Sequence, residues 1–409
     1  INNQGDSRDK DQTINNVSLG WNWSLTNTLS YRFDITDLHH FDVLAGTEYS
    51  KSRPTYGESV EATGYNSAFG DFTHAYLHNT ERKATATVNG YPSDYGSKMS
   101  YFGRLNYDFK ETYMFSAIIR ADGSSKFAKG NQWGYFPSFS AGWVISNEAF
   151  MKNTASWLGF LKVRAGWGQN GNDNIPNSNW RACYEFGDYG LYTFGSDKNG
   201  GTTGAYPNRL ANPDLTWETS EQTNIGIDAR FLNSRLTVTA DYFHKNTKDL
   251  IVSGIKASTV VGNSFSPVNA GNITNKGFEL ELGWQDRIGD FAYGVRANVA
   301  TLKNKVTKMH ESLSSIDGAT YVTYGAITRF EVGKPAWYFY GYDFMGVDSK
   351  TGEPIFRDID GVEGITDNDK TEIGKGIADY TYGITLNAAW KGFDFILFGT
   401  GSQGNDVFC

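Results

Sequence analysis

Hydrophobic residues recur at every second position over segments long enough to cross a bilayer as strands. In 277–285, Phe278, Leu280, Leu282 and Trp284 share one parity, and Glu279, Glu281, Gly283 and Gln285 share the other. Leu236, Val238, Ala240 and Tyr242 likewise oppose Arg235, Thr237, Thr239 and Asp241, and Leu161, Val163, Ala165 and Trp167 oppose Lys162, Arg164, Gly166 and Gly168. One face is greasy and the other polar. The pattern predicts twelve strands, near 24–35, 41–50, 101–109, 112–120, 135–145, 160–168, 222–231, 235–245, 276–285, 291–302, 380–390 and 393–402.

The connections alternate as well. Short links at 36–40, around Lys110, and at 232–234, 286–290 and 391–392 take turns with long ones at 51–100, 121–134, 169–221, 246–275 and 303–379. The link 146–159 is longer, but its place in the alternation puts it on the short side. Short turns at one rim and long loops at the other are the build of an outer-membrane barrel, which crosses the bilayer once per strand. A soluble β-sandwich or propeller also alternates along its strands. A loop as long as 303–379 is rare in compact soluble domains, and no fixed-period repeat supports a propeller. Phe109, Trp143, Trp284 and Trp390 near strand ends suit an interfacial girdle. The expected fold class is all-β, a large antiparallel transmembrane barrel.

Composition sharpens this reading. Aromatic residues make up 15% of the 409 residues, with 46 glycines and 9 prolines, which favours many strands joined by glycine-rich turns. Mean hydropathy is -0.47, and the apolar run 393–398 is short and broken by Asp394, so no membrane helix is predicted. A barrel with one wet face tolerates such a polar average. The net charge of -8 gives no cationic surface for nucleic acid. Cys183 and Cys409 define no disulfide framework. The polar run 1–16 carries no secretory leader, which reads as a mature or truncated start. No HExxH, paired-cysteine motif, GxSxG elbow or P-loop occurs, and His39-His40 lacks metal-ligand spacing, so catalysis is not expected.

Three stretches resemble SusC-type (SusC/RagA) TonB-dependent transporters, and their order and spacing match too. The first is YFGRLNYDFKETYMFSAIIRADGSSKFAKGNQWGYFPSFSAGWVISNEAFM, from Tyr101 to Met151. The second begins LKVRAGWGQNGN at Leu161, resumes as NPDLTWETSEQTNIGID at Asn212, and reaches NAGNITNKGFELEL at Asn269. The third runs from WYFYGYDFMGVD at Trp337 through DIDGVEGITDNDKTEIG to KGFDFILFGTGSQGND, ending at Asp406. Within them, Asp122, Gly123, Ser124 and Ser125 are expected to form a turn after a strand, Pro137 to open the next strand, and Asn170, Gly171 and Asn172 to end one.

The resemblance implies a barrel of about 22 strands filled by an N-terminal plug, a size whose lumen needs plugging. The twelve strands here, over 1–409, then form a partial barrel domain without the plug and without the first and last strands. It further implies active import of glycans, or of oligopeptides, with energy from the TonB complex reaching the missing N-terminal region. The implied partners are a SusD-like surface lipoprotein, dimeric pairs of the two, and outer-membrane lipid and lipopolysaccharide. A passive porin or adhesion barrel is the alternative of another class, and an outer-membrane hydrolase a third.

Two sets of loop residues are candidates for chemistry. Trp180, Tyr184, Tyr189, Tyr192, Tyr206, Trp217, Tyr321, Tyr324, Trp337 and Tyr338 are aromatic, and rings with polar tips stack on sugars or peptide side chains, although any one ring can equally serve loop packing. Asp358, Asp360, Glu363, Asp367 and Asp369 are closely spaced carboxylates of the kind that suit calcium. The family's DxNGDG run is altered here, with Gly361-Val362 where Gly-Asp is expected, and a solvated acidic loop is the competing reading. Apart from this calcium, no cofactor is expected.

Overall fold

The computed structural model describes residues 12–63, 76, 78, 87–92, 95–193, 201–252, 264–310, 313–321 and 325–408. All twelve expected strands form, and each pairs with its neighbour in sequence. They are β1 (Gln12–Ile35), β2 (His39–Thr63), β3 (Gly96–Phe109), β4 (Tyr113–Ser124), β5 (Trp133–Val144), β6 (Leu158–Asn172), β7 (Glu218–Phe231), β8 (Leu236–Val252), β9 (Val268–Ile288), β10 (Phe291–Thr301), β11 (Tyr380–Trp390) and β12 (Phe393–Gln403). The result is one antiparallel meander.

The hairpin turns are tight because several residues accept the left-handed backbone such turns require. Lys110 and Glu111 have φ of 56° and 49°, and Lys391 and Gly392 have 45° and 87°. The longer link between β5 and β6 carries two 3-10 segments, Ile145–Asn147 and Ala149–Thr154. It is tied to the rim through Glu148, which accepts hydrogen bonds from the Tyr113 hydroxyl at 2.5 Å and the Trp143 indole at 3.0 Å. Those two donors hold the Glu148 carboxyl below the usual carboxylate range.

Register puts the apolar parity of every strand on one face. Leu29, Ala45, Gly103 and Ile119 face outward in one row. Leu282, Ala297 and Ile384 form another across β9 to β11. Leu29 in β1 and Phe393 in β12 are each 76% exposed, so none of the described residues covers this apolar wall at either end. Rings edge the wall at both rims. Tyr113 stacks on Phe109 at 6.1 Å and on Trp143 at 6.3 Å near the short turns, and Tyr101 meets Trp133 at 6.0 Å near the long loops. From Ile35 to Trp23 along β1 is roughly 40 Å of strand, or about 30 Å of membrane thickness at a tilt of about 40°.

Several strands run on past the expected ends toward the long loops. β4 continues through Asp122, Gly123 and Ser124, which corrects their reading as a turn: Asp122 pairs with Gly134 and Gly123 with Trp133. Pro137 lies inside β5 rather than at its start. It is tolerated because the ladder from β5 to β6 begins one residue later, at Ser138, so no bond is lost there. Asn170, Gly171 and Asn172 do close β6. A Cβ on Gly171 would stand 2.0 Å from the Phe136 ring, so glycine is what admits that ring at the mouth.

Among the described residues, the long loops carry small sheets of their own and two dry cores. The first core joins Phe127, Phe136, Ile175, Leu215 and Trp217. The second joins Val306, Met309, Phe330 and Ala336, beside the sheet of Ser315–Asp317, Thr328–Glu331, Tyr338–Tyr342 and Lys370–Gly374.

Candidate functional site: the inner wall and the mouth

The polar parity of β1 to β12 forms the inner wall. A single cavity of about 710 Å³ is lined from Arg32 on β1 to Asn224 on β7, so the wall is concave across seven consecutive strands. Its charges meet across neighbouring strands. Asp42 accepts from Arg32 at 2.7 Å and from Arg104 at 3.1 Å. Arg120 donates to both oxygens of Asp122 at 2.8 and 2.9 Å, to Glu48 at 3.3 Å and to Ser100 at 3.0 Å. Arg164 bridges Asp228 on β7, at 3.0 Å, and Asp241 on β8, at 2.6 Å. Gly226 makes room for this clasp, because a Cβ there would lie 2.4 Å from Asp241. Sequence reasoning found this face as polar but did not single out these residues. The signal was available: opposite charges sit at the same parity of successive strands.

At the mouth, the DGSS segment works as a stitch. Ser124 donates to Asp173 at 2.9 Å, the Ser125 hydroxyl accepts from the Ser97 N-H at 2.9 Å, and Lys126 reaches the Asp173 carbonyl at 3.1 Å. Lys98 pairs with the Asp173 carboxylate at 3.0 Å and lies 5.4 Å from the Trp217 ring.

The aromatic candidates separate by environment. Trp217 is buried in the first core, its indole N-H donating to the Gln132 carbonyl at 3.1 Å, and Trp180 packs against that core half-buried. Tyr338 is buried too, its hydroxyl donating to Glu331 at 2.7 Å. Burial and the nearby Glu331 carboxylate push the Tyr338 phenol well above its ordinary pKa. Trp337 lays its ring 5.2 Å from Phe330 and stays partly exposed. Tyr184 and Tyr321 are exposed, at 66% and 57%, and Tyr206 is half-buried on the strand Gly201–Leu210. Tyr189 and Tyr192 belong to the strand Cys183–Thr193, with side chains outside the described set, and Tyr324 lies outside the described residues. Exposed rings are therefore found in both loop groups.

Of the acidic candidates, the structure brings together Asp358, Asp360 and Asp369, whose carboxylate oxygens lie within 4.8 Å of one another. Glu363 is outside this cluster, and Asp367 instead faces the Tyr342 hydroxyl at 3.1 Å and Lys370 at 2.8 Å. The three clustered carboxylates already accept from their own loop. Asp369 takes the N-H groups of Ile359 at 2.6 Å and Thr366 at 2.7 Å, Asp358 that of Gly361 at 2.7 Å, and Asp360 that of Val362 at 2.9 Å. These bonds close the loop with its own donors.

The backbone donors of Thr366 and Ile359 hold the Asp369 carboxyl below its ordinary value of 3.8. A depressed folded pKa stabilises fully above the unfolded value and is lost as pH falls through the folded one. Asp369→Asn is thus expected to speed hydrogen exchange in 357–370 at pH 7. The gap from the parent protein should persist down to about pH 4 and close below it. An equal gap at all pH values would assign the protection to something other than this carboxylate.

Comparison with known proteins agrees with this architecture. The TonB dependent receptor-like β-barrel family model matches residues 1–390. TonB-dependent receptor SusC of Bacteroides thetaiotaomicron is 31% identical over 97% of this chain, and a TonB-dependent receptor of Formosa agariphila is 29% identical over 94%. The chain spans 40% and 39% of their lengths. Among solved structures, the RagAB peptide importer in its open-open state superimposes with a TM-score of 0.79 over 99% of this chain and 43% of that one, at 24% identity, a likeness of fold. With the family model spanning nearly every strand of the meander, the chain belongs to the TonB dependent receptor-like β-barrel family, and its apolar outer face is the wall of an outer-membrane barrel.

Proposed function

We infer that this chain is the barrel wall of an energised outer-membrane importer of oligosaccharides, working with a SusD-like surface lipoprotein and the TonB complex. The observation that carries the reading is a concave polar wall on which Arg104, Arg120 and Arg164 are each paired with acids, opening under loops that hold exposed rings such as Tyr184 and Tyr321. Sugars bind through stacking and hydrogen bonds rather than through net charge, and a self-paired wall with aromatic residues above it suits them. The relationship to SusC supports the import role. The relatives are named as receptors, in keeping with a protein that moves its ligand without transforming it. A second reading, import of oligopeptides, draws on the fold shared with the RagAB peptide importer.

Growth separates these readings. A strain lacking the full-length protein, supplied with single polysaccharides or with peptides as sole nutrient, is expected to fail on one glycan class and recover with the intact gene. The same defect is expected when TonB is removed. Failure on peptides alone would favour the second reading, and unimpaired growth on every nutrient would remove import as the role.

A further inference from the structure

One aromatic residue of the loops is held in a backbone conformation that its side chain disfavours. Trp337 has φ of 57°, in the left-handed region where a Cβ crowds the backbone and bulky residues are outliers. Most of the other described non-glycine residues with positive φ, such as Lys110, Leu232 and Lys391, lie in the tight turns between paired strands. Trp337 stands instead between Pro335 and the strand Tyr338–Tyr342, where glycine would take the same φ without strain. Strain of this kind persists only where the surroundings impose it, and it gathers at sites of function.

Both neighbours of Trp337 are clamped. Ala336 is 9% exposed and donates its N-H to the Asn304 side chain at 2.7 Å, and Tyr338 is 2% exposed with its hydroxyl on Glu331. Asn304 donates in turn to Asn275 at 2.7 Å, and Asn275 has the parity of Glu279 and Glu281 on β9, the inner face. The turn is therefore bolted to the lumen side of the wall. Between its buried neighbours the Trp337 side chain turns out, 38% exposed. One side of the indole is seated: the ring meets Phe330 at 5.2 Å, and it lies so close to Gly318 that a Cβ there would stand 2.8 Å from it. Among the described residues its N-H has no acceptor, whereas the indoles of Trp143, Trp167 and Trp217 each have one.

We propose that Trp337 is the platform on which an imported glycan stacks, and that this glycan is built of pyranose units. The inference deepens the import reading and rests on it. A six-membered sugar in its chair form presents a flat patch of C-H groups on one face, which matches the open side of an indole. A puckered five-membered ring has no patch of that extent. The N-H at the ring edge donates to a hydroxyl of the same unit or the next. Because the clamped turn and the Gly318 seat already fix the ring, little side-chain freedom is lost when the sugar arrives. A backbone strain that glycine would remove is in this way kept for the sake of the ring it displays.

Full-length protein in detergent would be titrated calorimetrically with maltohexaose, cellohexaose, mannohexaose and xylohexaose, with an inulin-type fructan hexamer and hexaalanine as the contrasting probes. At least one pyranose hexamer is expected to bind. Trp337→Gly should weaken that binding by about tenfold, and Trp337→Phe, which keeps a flat ring, should retain most of it. Hydrogen exchange within 328–342 separates a binding role from a packing one. Glycine relieves the backbone at this φ, so exchange in Trp337→Gly is expected to stay at the parental level. Unchanged affinity in Trp337→Gly, exchange that quickens in step with lost affinity, or a preference for the fructan would overturn the platform and leave import standing. Binding of hexaalanine alone, or of no probe, would count against glycan import itself and take the platform with it.

Discussion

Trp217→Ala is expected to loosen the extracellular mouth while leaving the membrane-spanning sheet folded. Trp217 is 6% exposed, meets Phe127 at 5.2 Å and Phe136 edge-on at 5.5 Å, and donates to Gln132. Truncating an aromatic residue in such a core removes transfer energy and opens a cavity, about 3–5 kcal/mol in all. The core ties three separate segments together, around Phe127, Ile175 and Leu215, so the loss falls on the loops they belong to. Limited proteolysis of full-length protein should show new cuts within 125–132 and 173–217, with the heat-induced gel shift of the barrel unchanged. If both loops stay resistant, the core does not hold the mouth together.

The second large effect is expected at the inner wall. Arg164→Met leaves Asp228 and Asp241 on adjacent strands with their shared cation gone. Breaking a fully buried ion pair from one side costs about 3–5 kcal/mol, because the remaining charge is stranded. The Arg164 side chain is 37% exposed, so water screens part of this and about 1–3 kcal/mol is the expected loss. Thermal unfolding in detergent would register it as a lower transition temperature. Adding Asp241→Asn to Arg164→Met should restore part of the loss, since the stranded charge is then removed. A double variant less stable than Arg164→Met would show that packing, rather than charge, dominates there.

The centres of the strands were legible because the bilayer imposes a strict alternation on them. Phe278, Leu280, Leu282 and Trp284 had to share a parity if one face met lipid. The ends were less legible. β1 begins at Gln12 and β2 reaches Thr63, well past the expected 24 and 50, because beyond the interface neither face needs to be apolar. The DGSS run looked like a turn for the same reason: glycine and serine signal turns locally, but here the ladder to β5 keeps the segment extended. The loop cores gave no periodic signal at all. Phe127, Leu215, Val306 and Phe330 are isolated apolar residues among polar ones, and only folding reveals which distant partners they meet. The aromatic candidates therefore divided in a way that composition does not show, with Trp217 and Tyr338 turned inward and Tyr184 and Tyr321 exposed. Among the acids, spacing alone did not separate Asp369, folded into its own loop, from Asp367, held by a tyrosine and a lysine.

The clasps formed by Arg104, Arg120 and Arg164 have a bearing on what the inner face can hold. A guanidinium already engaged by a fixed neighbour has little attraction left for a passing solute, so this lining is slippery rather than adhesive. If the import reading proposed above holds, a solute is then retained at the loop mouth rather than at these three clasps.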